Sequence, residues 1–213
     1  LGKKSHLHVR ISSALTDEKV ALLRQGLEII LSDVRLATED WPKMRERLRQ
    51  IHEGISAVAV SGPNAEAEIA EYKAFLHYLI ENNFTLLGYR EYKFSEKGEA
   101  LRSRIVKDSS LGVLRDEREP AYINGDDFVL PDSLQKLRRD QSAITVAKTN
   151  RRSSVHRCVP MDAIAIKIYD SKGAVIGEHL FLGLFTSVTY SRSVMDIPFL
   201  RHKVVGVIEK SGF

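Results

Sequence analysis

Apolar positions change their rhythm along this chain, from three- and four-residue steps in the first part to alternation in the second. A short stretch at the start, 6–12, alternates already. His6, His8 and Arg10 fall on one side and Leu7, Val9 and Ile11 on the other, which predicts a half-buried strand. From Thr16 the step lengthens. Thr16 supplies an N-cap hydroxyl, Asp17 and Glu18 complement the helix dipole, and Val20, Leu23, Leu27, Ile30, Leu31 and Val34 line one helical face. A second helix is predicted to start at Asp40-Trp41-Pro42, with Asp40 as its cap, Pro42 in its first turn and Trp41, Met44, Leu48, Ile51 and Ile55 as its stripe. The two helices are expected to pack as a hairpin. After Ser61-Gly62-Pro63-Asn64, a third helix carries Ile69, Tyr72, Phe75, Leu76 and Leu79 on its buried face and ends at Asn82-Asn83.

Alternation takes over at Phe84. Strands are predicted over Phe84–Phe94, Leu101–Lys107, Ile144–Lys148, Ala163–Tyr169 and Ala174–Thr186, forming one mainly antiparallel sheet. Asp170-Ser171-Lys172-Gly173 reads as a hairpin turn, because glycine accepts the positive φ such turns demand. Between the strands fall a polar loop, Asp116–Asp127, and a short helix, Asp132–Arg139, capped by Asp132. A last helix follows Ile197-Pro198, with Leu200, Val204, Val207 and Ile208 on one face and Gly212 at its end. The fold class is therefore α+β. A strand and helices occupy 1–83, and a mainly antiparallel sheet domain with flanking helices occupies 84–213.

Composition narrows the function without naming it. At 213 residues and 43% hydrophobic, the chain can bury a core. Lys plus Arg exceeds Asp plus Glu by 32 minus 28, and the pI is about 9.1, which raises nucleic-acid binding as an alternative. Both signs are interleaved along most of the chain, and only stretches such as 151–157 concentrate one. The single cysteine, Cys158, excludes an intrachain disulfide and a multi-cysteine zinc site and fits a reducing compartment. No apolar run approaches the roughly 20 residues a bilayer requires, and no secretory leader is visible, so a cytoplasmic protein is expected. The opening Leu1-Gly2-Lys3-Lys4 has no initiator methionine, which suggests an excised or processed segment.

A dinucleotide site needs closely spaced glycines between a strand and a helix. Gly173, Gly177 and Gly183 are spaced too widely for this and suit turns and bulges. The histidines have no metal-ligand spacing, and Ser153, Ser154 and His156 lack the strained turn of a hydrolase nucleophile. No catalytic, cofactor-binding or metal residues are assigned. The segment Asn150-Arg151-Arg152-Ser153-Ser154-Val155-His156-Arg157 brings guanidinium forks and hydroxyls together, and could grip a carboxylate or phosphate or instead form surface ion pairs. Arg151, Arg152, Ser154, His156 and Arg157 are its candidate ligand residues, with Arg90 and Tyr92 on the Phe84 strand as companions.

Several ordered stretches resemble one family. Phe84-Thr85-Leu86-Leu87-Gly88-Tyr89-Arg90-Glu91-Tyr92, Leu111-Gly112-Val113-Leu114-Arg115-Asp116, Lys148–Arg157, Phe181-Leu182-Gly183-Leu184-Phe185-Thr186-Ser187 and Ile197-Pro198-Phe199-Leu200-Arg201 are similar to the N-terminal region of the large, NAD-specific bacterial glutamate dehydrogenases. The resemblance implies a parent that oxidises L-glutamate to 2-oxoglutarate with NAD and carries its dehydrogenase domain toward the C-terminus. It also implies that 1–83 is the tail of an ACT-like unit plus a helical linker, and that 84–213 is a PAS-like sensory domain. This segment would then bind no cofactor itself. It would sense a small metabolite such as an amino acid, or build the oligomer, with the rest of the polypeptide and neighbouring subunits as partners. An orphan ACT-like half would leave Val9, Ile11, Val20 and Leu27 needing cover from the sheet domain or from another chain.

Overall fold

A computed structural model describes residues 6, 8–11, 16–55, 64–97, 100–115, 128–129, 142–202 and 204–205. The predicted loop 116–127, the helix 132–139 and the end of the last helix lie outside these residues.

The first helix, α1, runs without a break over Asp17–Gly54, and the predicted helical hairpin does not exist. Thr16 caps it as expected, accepting from the Lys19 amide at 3.4 Å. Pro42 sits inside the helix, where a proline costs an isolated helix about 3 kcal/mol. Tertiary contacts outweigh that local cost. Asp40, read as a cap, is a buried clamp whose carboxylate accepts the Gly112 N–H at 3.0 Å and holds Arg115 at 3.2 Å and Lys43 at 3.1 Å. One and two turns further on, Met44 and Leu48 are fully buried. The two predicted stripes are in fact one: Val20, Leu23, Leu27, Ile30, Val34 and Ala37 continue in step into Trp41, Met44, Leu48, Ile51 and Ile55.

Helix α2 covers Ala65–Tyr78 and ends in a π-turn, Leu79–Asn83. Asn82 takes φ 64° and the Asn83 side chain donates to the Tyr78 carbonyl at 2.9 Å, so the asparagine pair does terminate the helix. The chain then enters β1 (Phe84–Lys97), β2 (Ala100–Ile105), β3 (Leu111–Gly112), β4 (Phe128–Val129), β5 (Ile144–Arg152), β6 (Pro160–Tyr169) and β7 (Val175–Phe185). All pairings are antiparallel, in the order β4-β2-β1-β7-β6-β5, with β3 added to β1. A one-turn helix, α3 (Ser187–Tyr190), follows.

One face of the sheet packs on α1 and α2. Met44, Leu48, Phe75 and Leu76 meet Tyr89, Ile144, Ile164, Ile166 and Phe181 in a single core, all fully or almost fully buried. Phe199 closes it, with its ring 5.5 Å from Tyr72 and 5.4 Å from Phe75. Glu71 fixes that end by accepting the Phe199 amide at 2.8 Å and the Arg201 guanidinium. A smaller cluster on the opposite face joins Leu87, Val113, Leu114, Met161, Leu182 and Leu184 to Ala37 of α1.

Two further expectations are corrected. Residues 6 and 8–11 form no strand, and Val9, Ile11, Val20 and Leu27 stay exposed and find no cover on the sheet. Alternation marks a face, but a strand also needs an edge to pair with. Strand β5 runs on to Arg152 after a register shift beyond Lys148, so it carries Asn150, Arg151 and Arg152, the first part of the basic segment that was expected to follow it.

The glycines behave as their spacing suggested. Gly173 makes the β6–β7 turn at φ 82°, with Asp170 accepting the Lys172 and Ala174 amides at 2.8 and 2.9 Å. Gly177 and Gly183 pair with Ile168 and Leu86, each beside a register shift. A Cβ on Gly183 would lie 2.1 Å from the Thr85 carbonyl oxygen, whereas one on Gly173 would meet nothing within 4 Å. Chemical denaturation should therefore separate them: Gly183→Ala is expected to cost about 3 kcal/mol and Gly173→Ala about 1 kcal/mol, the latter from backbone strain alone. Asp40→Ala should cost about 3 kcal/mol by leaving the Gly112 N–H without its buried acceptor, and Asp40→Asn less.

Candidate functional site

The basic segment is a hook joining three elements. It leaves β5 at Arg152 and returns to β6 at Pro160. Ser153 is buried and ties the loop to itself, donating to the Val155 carbonyl at 2.6 Å and accepting the Val155 amide at 3.1 Å. Ser154 donates its hydroxyl to the buried carboxylate of Asp33 on α1, so it is engaged by a carboxylate rather than by His156. Arg152 donates to the Cys158 carbonyl. Arg157 reaches the Phe185 carbonyl at 2.6 Å and lies 5.6 Å from the Tyr190 ring centroid. His156 is exposed with φ 69°, and the Arg151 carbonyl accepts the Thr149 hydroxyl at 3.0 Å.

Arg90 points elsewhere. It is buried, with Nε donating to Ser110 at 2.9 Å and Nη2 to the Leu114 carbonyl. The bonds of Arg90, Arg152, Ser154 and Arg157 described here thus end on oxygens of the chain itself. Beside the hook, Lys148 bridges Asp162 at 2.6 Å and the Tyr190 hydroxyl at 2.9 Å. Burial opposes its charge, but the hydrogen bonds it donates to Asp162 and Tyr190 prevail and raise its pKa.

A second polar centre was not legible as a motif. A cleft of about 500 Å³ opens between α1 and the β6–β7 hairpin, with Arg47, Gln50, Tyr169 and His179 on its walls. Arg47 donates to Gln50 at 3.2 Å. His179 shares a 2.9 Å hydrogen bond with Tyr89, and Glu91 lies 3.9 Å from the same ring nitrogen. Burial, followed by the Arg47 charge, pushes the His179 pKa down to about 4. Burial also drives the Tyr89 hydroxyl well above its ordinary value and pushes Tyr169 up to about 12. At neutral pH the cleft therefore sets the Arg47 guanidinium beside a neutral imidazole and the neutral Tyr169 phenol, with Lys167 and Asp170 also on its lining. Such a set can hold a carboxylate by charge and orient polar groups around it. The available sequence signal was period two: His179 shares a strand face with the core residue Phe181.

Gly177 and Gly183 offer no dinucleotide cradle. Carbonyl oxygens of Tyr92 and Thr85 occupy the space beside Gly177 and Gly183, so neither bares its backbone to a pyrophosphate. Among the described residues no three His, Cys, Asp or Glu side chains gather as a metal cage, and no helix is long and apolar enough to cross a membrane.

His179 sets a pH dependence. Its folded pKa of about 4 lies below the ordinary 6.5, so protonation favours the unfolded chain. The stability it protects is complete above about pH 6.5 and is lost as pH falls toward 4, by roughly 3 kcal/mol. Denaturation of His179→Gln across that window should show a shallower pH dependence than the parent chain. Equal slopes would show that His179 is not the titrating group.

No protein-family profile matches the chain. Curated relatives do, over its whole length. It is 32% identical over 213 residues to the NAD-specific glutamate dehydrogenase of Pseudomonas aeruginosa and 34% identical over 221 residues to that of Halomonas elongata, in each case spanning all of this chain and 13% of the relative. The NAD-specific glutamate dehydrogenase of Mycobacterium tuberculosis is 24% identical over 201 residues, covering 93% of this chain and 11% of its own length. The resemblance found in the ordered sequence stretches and these end-to-end matches agree: the chain belongs to the NAD-specific glutamate dehydrogenase family, as a segment spanning 13% of the length of the relatives it matches most fully.

Proposed function

We propose that this chain is a non-catalytic regulatory segment from the N-terminal part of an NAD-specific glutamate dehydrogenase. The supporting observation is the match itself, which covers the entire chain but only 13% of each of two relatives. In this reading the parent converts L-glutamate, NAD and water to 2-oxoglutarate, ammonia and NADH, with NAD held outside this segment. The segment senses a small metabolite, with the carboxylate of an amino acid as the group that Arg47 would hold in the cleft beside His179. Ligand binding would then bias the remote active site through differential affinity for two states. Its partners are the rest of the polypeptide and neighbouring subunits.

A purely structural reading, in which the segment only builds the oligomer, draws on one observation: the apolar first half of α1 stands in solvent. Two measurements test the regulatory reading. Mixed with glutamate and NAD, the chain is expected to produce no NADH, and any enzyme-dependent rise in NADH absorbance overturns the non-catalytic assignment. Titration calorimetry with a panel of amino acids should give saturable heat that Arg47→Ala weakens at least about tenfold, the loss of one charge-assisted contact. A panel without heat overturns sensing and leaves the structural reading.

A further inference from the structure

The cleft between α1 and the β6–β7 hairpin carries charge of both signs, and neither charge is matched. Arg47 is hydrogen-bonded to the Gln50 side chain and meets no carboxylate among the described residues. Asp170, at the start of the β6–β7 turn, commits one oxygen to the turn itself: Oδ1 accepts the Lys172 and Ala174 amides. Its Oδ2 accepts no hydrogen bond and pairs with no cation among the described residues. Both side chains belong to the lining of one cleft, yet they do not pair with each other.

Lys167 does not alter this balance. It stands in register with Glu178, and His179 with Ile166, so alternation puts the Lys167 and Glu178 side chains on the sheet face opposite His179. Both are buried, and opposite charges at directly paired positions offset each other. A ligand for the cleft must therefore bring a negative group for Arg47 and a positive one for Asp170. An α-amino acid carries the two on a single carbon. A 2-oxo acid offers only the carboxylate and leaves Asp170 unmatched.

The remaining lining favours hydrocarbon. Ile51 lies one turn beyond Arg47 on α1, and Ile168 contributes from β6. Each is half-buried, so part of its surface is left for a ligand to cover. Gly54 adds room beside them, since nothing lies within 4 Å of the place its Cβ would take. A second carboxylate would find no cation here, because burial keeps His179 neutral at neutral pH.

We infer that this cleft is a selective site for a zwitterionic α-amino acid with an aliphatic side chain, in which Arg47 holds the α-carboxylate, Asp170 the α-ammonium, and Ile51 and Ile168 the side chain. The inference rests on the sensing role proposed for the cleft and adds its selectivity. The site distinguishes an amino acid from the 2-oxo acid that differs from it only at the α-carbon, and a monocarboxylate from a dicarboxylate.

Titration calorimetry on the 213-residue chain tests this with three probes: leucine, its 2-oxo acid 4-methyl-2-oxopentanoate, and glutamate. Leucine is expected to bind at least about tenfold more tightly than either of the others, the worth of one charge-assisted contact. Asp170→Asn keeps Oδ1 as the acceptor of the turn amides and removes the charge. It should weaken leucine about tenfold, leave the denaturation midpoint near that of the parent chain, and not weaken the 2-oxo acid. Heat from none of the three probes overturns the sensing role and this inference together. Leucine binding that Arg47→Ala weakens and Asp170→Asn does not leaves the sensing role standing and overturns the inference. Equal affinity for leucine and its 2-oxo acid has the same meaning, and glutamate binding more tightly than leucine overturns the aliphatic selectivity.

Discussion

The fold depends on one carboxylate placed where a helix ought to stop. Pro42 deprives α1 of a backbone donor, and the sequence around it has the composition of a helix start. Asp40, buried two residues earlier, accepts the Gly112 amide and pairs with Arg115, so this stretch of α1 is tied to the short strand β3 that pairs with β1. A buried carboxylate is tolerated only when its lone pairs are filled. Here the partners that fill them also fix the position of the helix on the sheet. With Asp40 held, Met44 and Leu48 face Tyr89, Ile164 and Phe181, and Arg47 faces His179 across the cleft.

Much of the architecture was legible because it follows from periodicity. The antiparallel sheet, the Asp170–Gly173 turn, the end of α2 at Asn82-Asn83 and the turn and bulge roles of the glycines all come from short-range chemistry that the residues carry with them. The error at Pro42 had the opposite origin. Local propensity argued for a break, and contacts from residues more than 70 positions away overruled it. The strand expected at 6–12 failed for a related reason, since alternation specifies a face and is silent about a partner edge.

The polar sites were harder to read. Clustering in sequence drew attention to Arg151–Arg157, yet the loop folds so that Arg152 and Arg157 meet carbonyl oxygens and Ser154 meets Asp33 on a distant helix. The cleft takes Arg47 from a charge-dense stretch of α1 and His179 from a strand more than 100 residues later, and no spacing rule links them. Its electrostatic character also arises only on folding. Burial keeps His179 and Tyr89 neutral, while Arg47, Lys167 and Asp170 bring the charges of the cleft lining.

The unbroken length of α1 has a mechanical consequence. At 1.5 Å per residue its 38 residues form a rod of roughly 57 Å. One arm is embedded in the core beside the cleft and the other projects into solvent, with Asp40 near the point of support. Because the rod is fastened along Asp33, Asp40, Met44 and Leu48 rather than at its tip, a load on its exposed first turns is carried down one continuous helix into the residues beside the cleft.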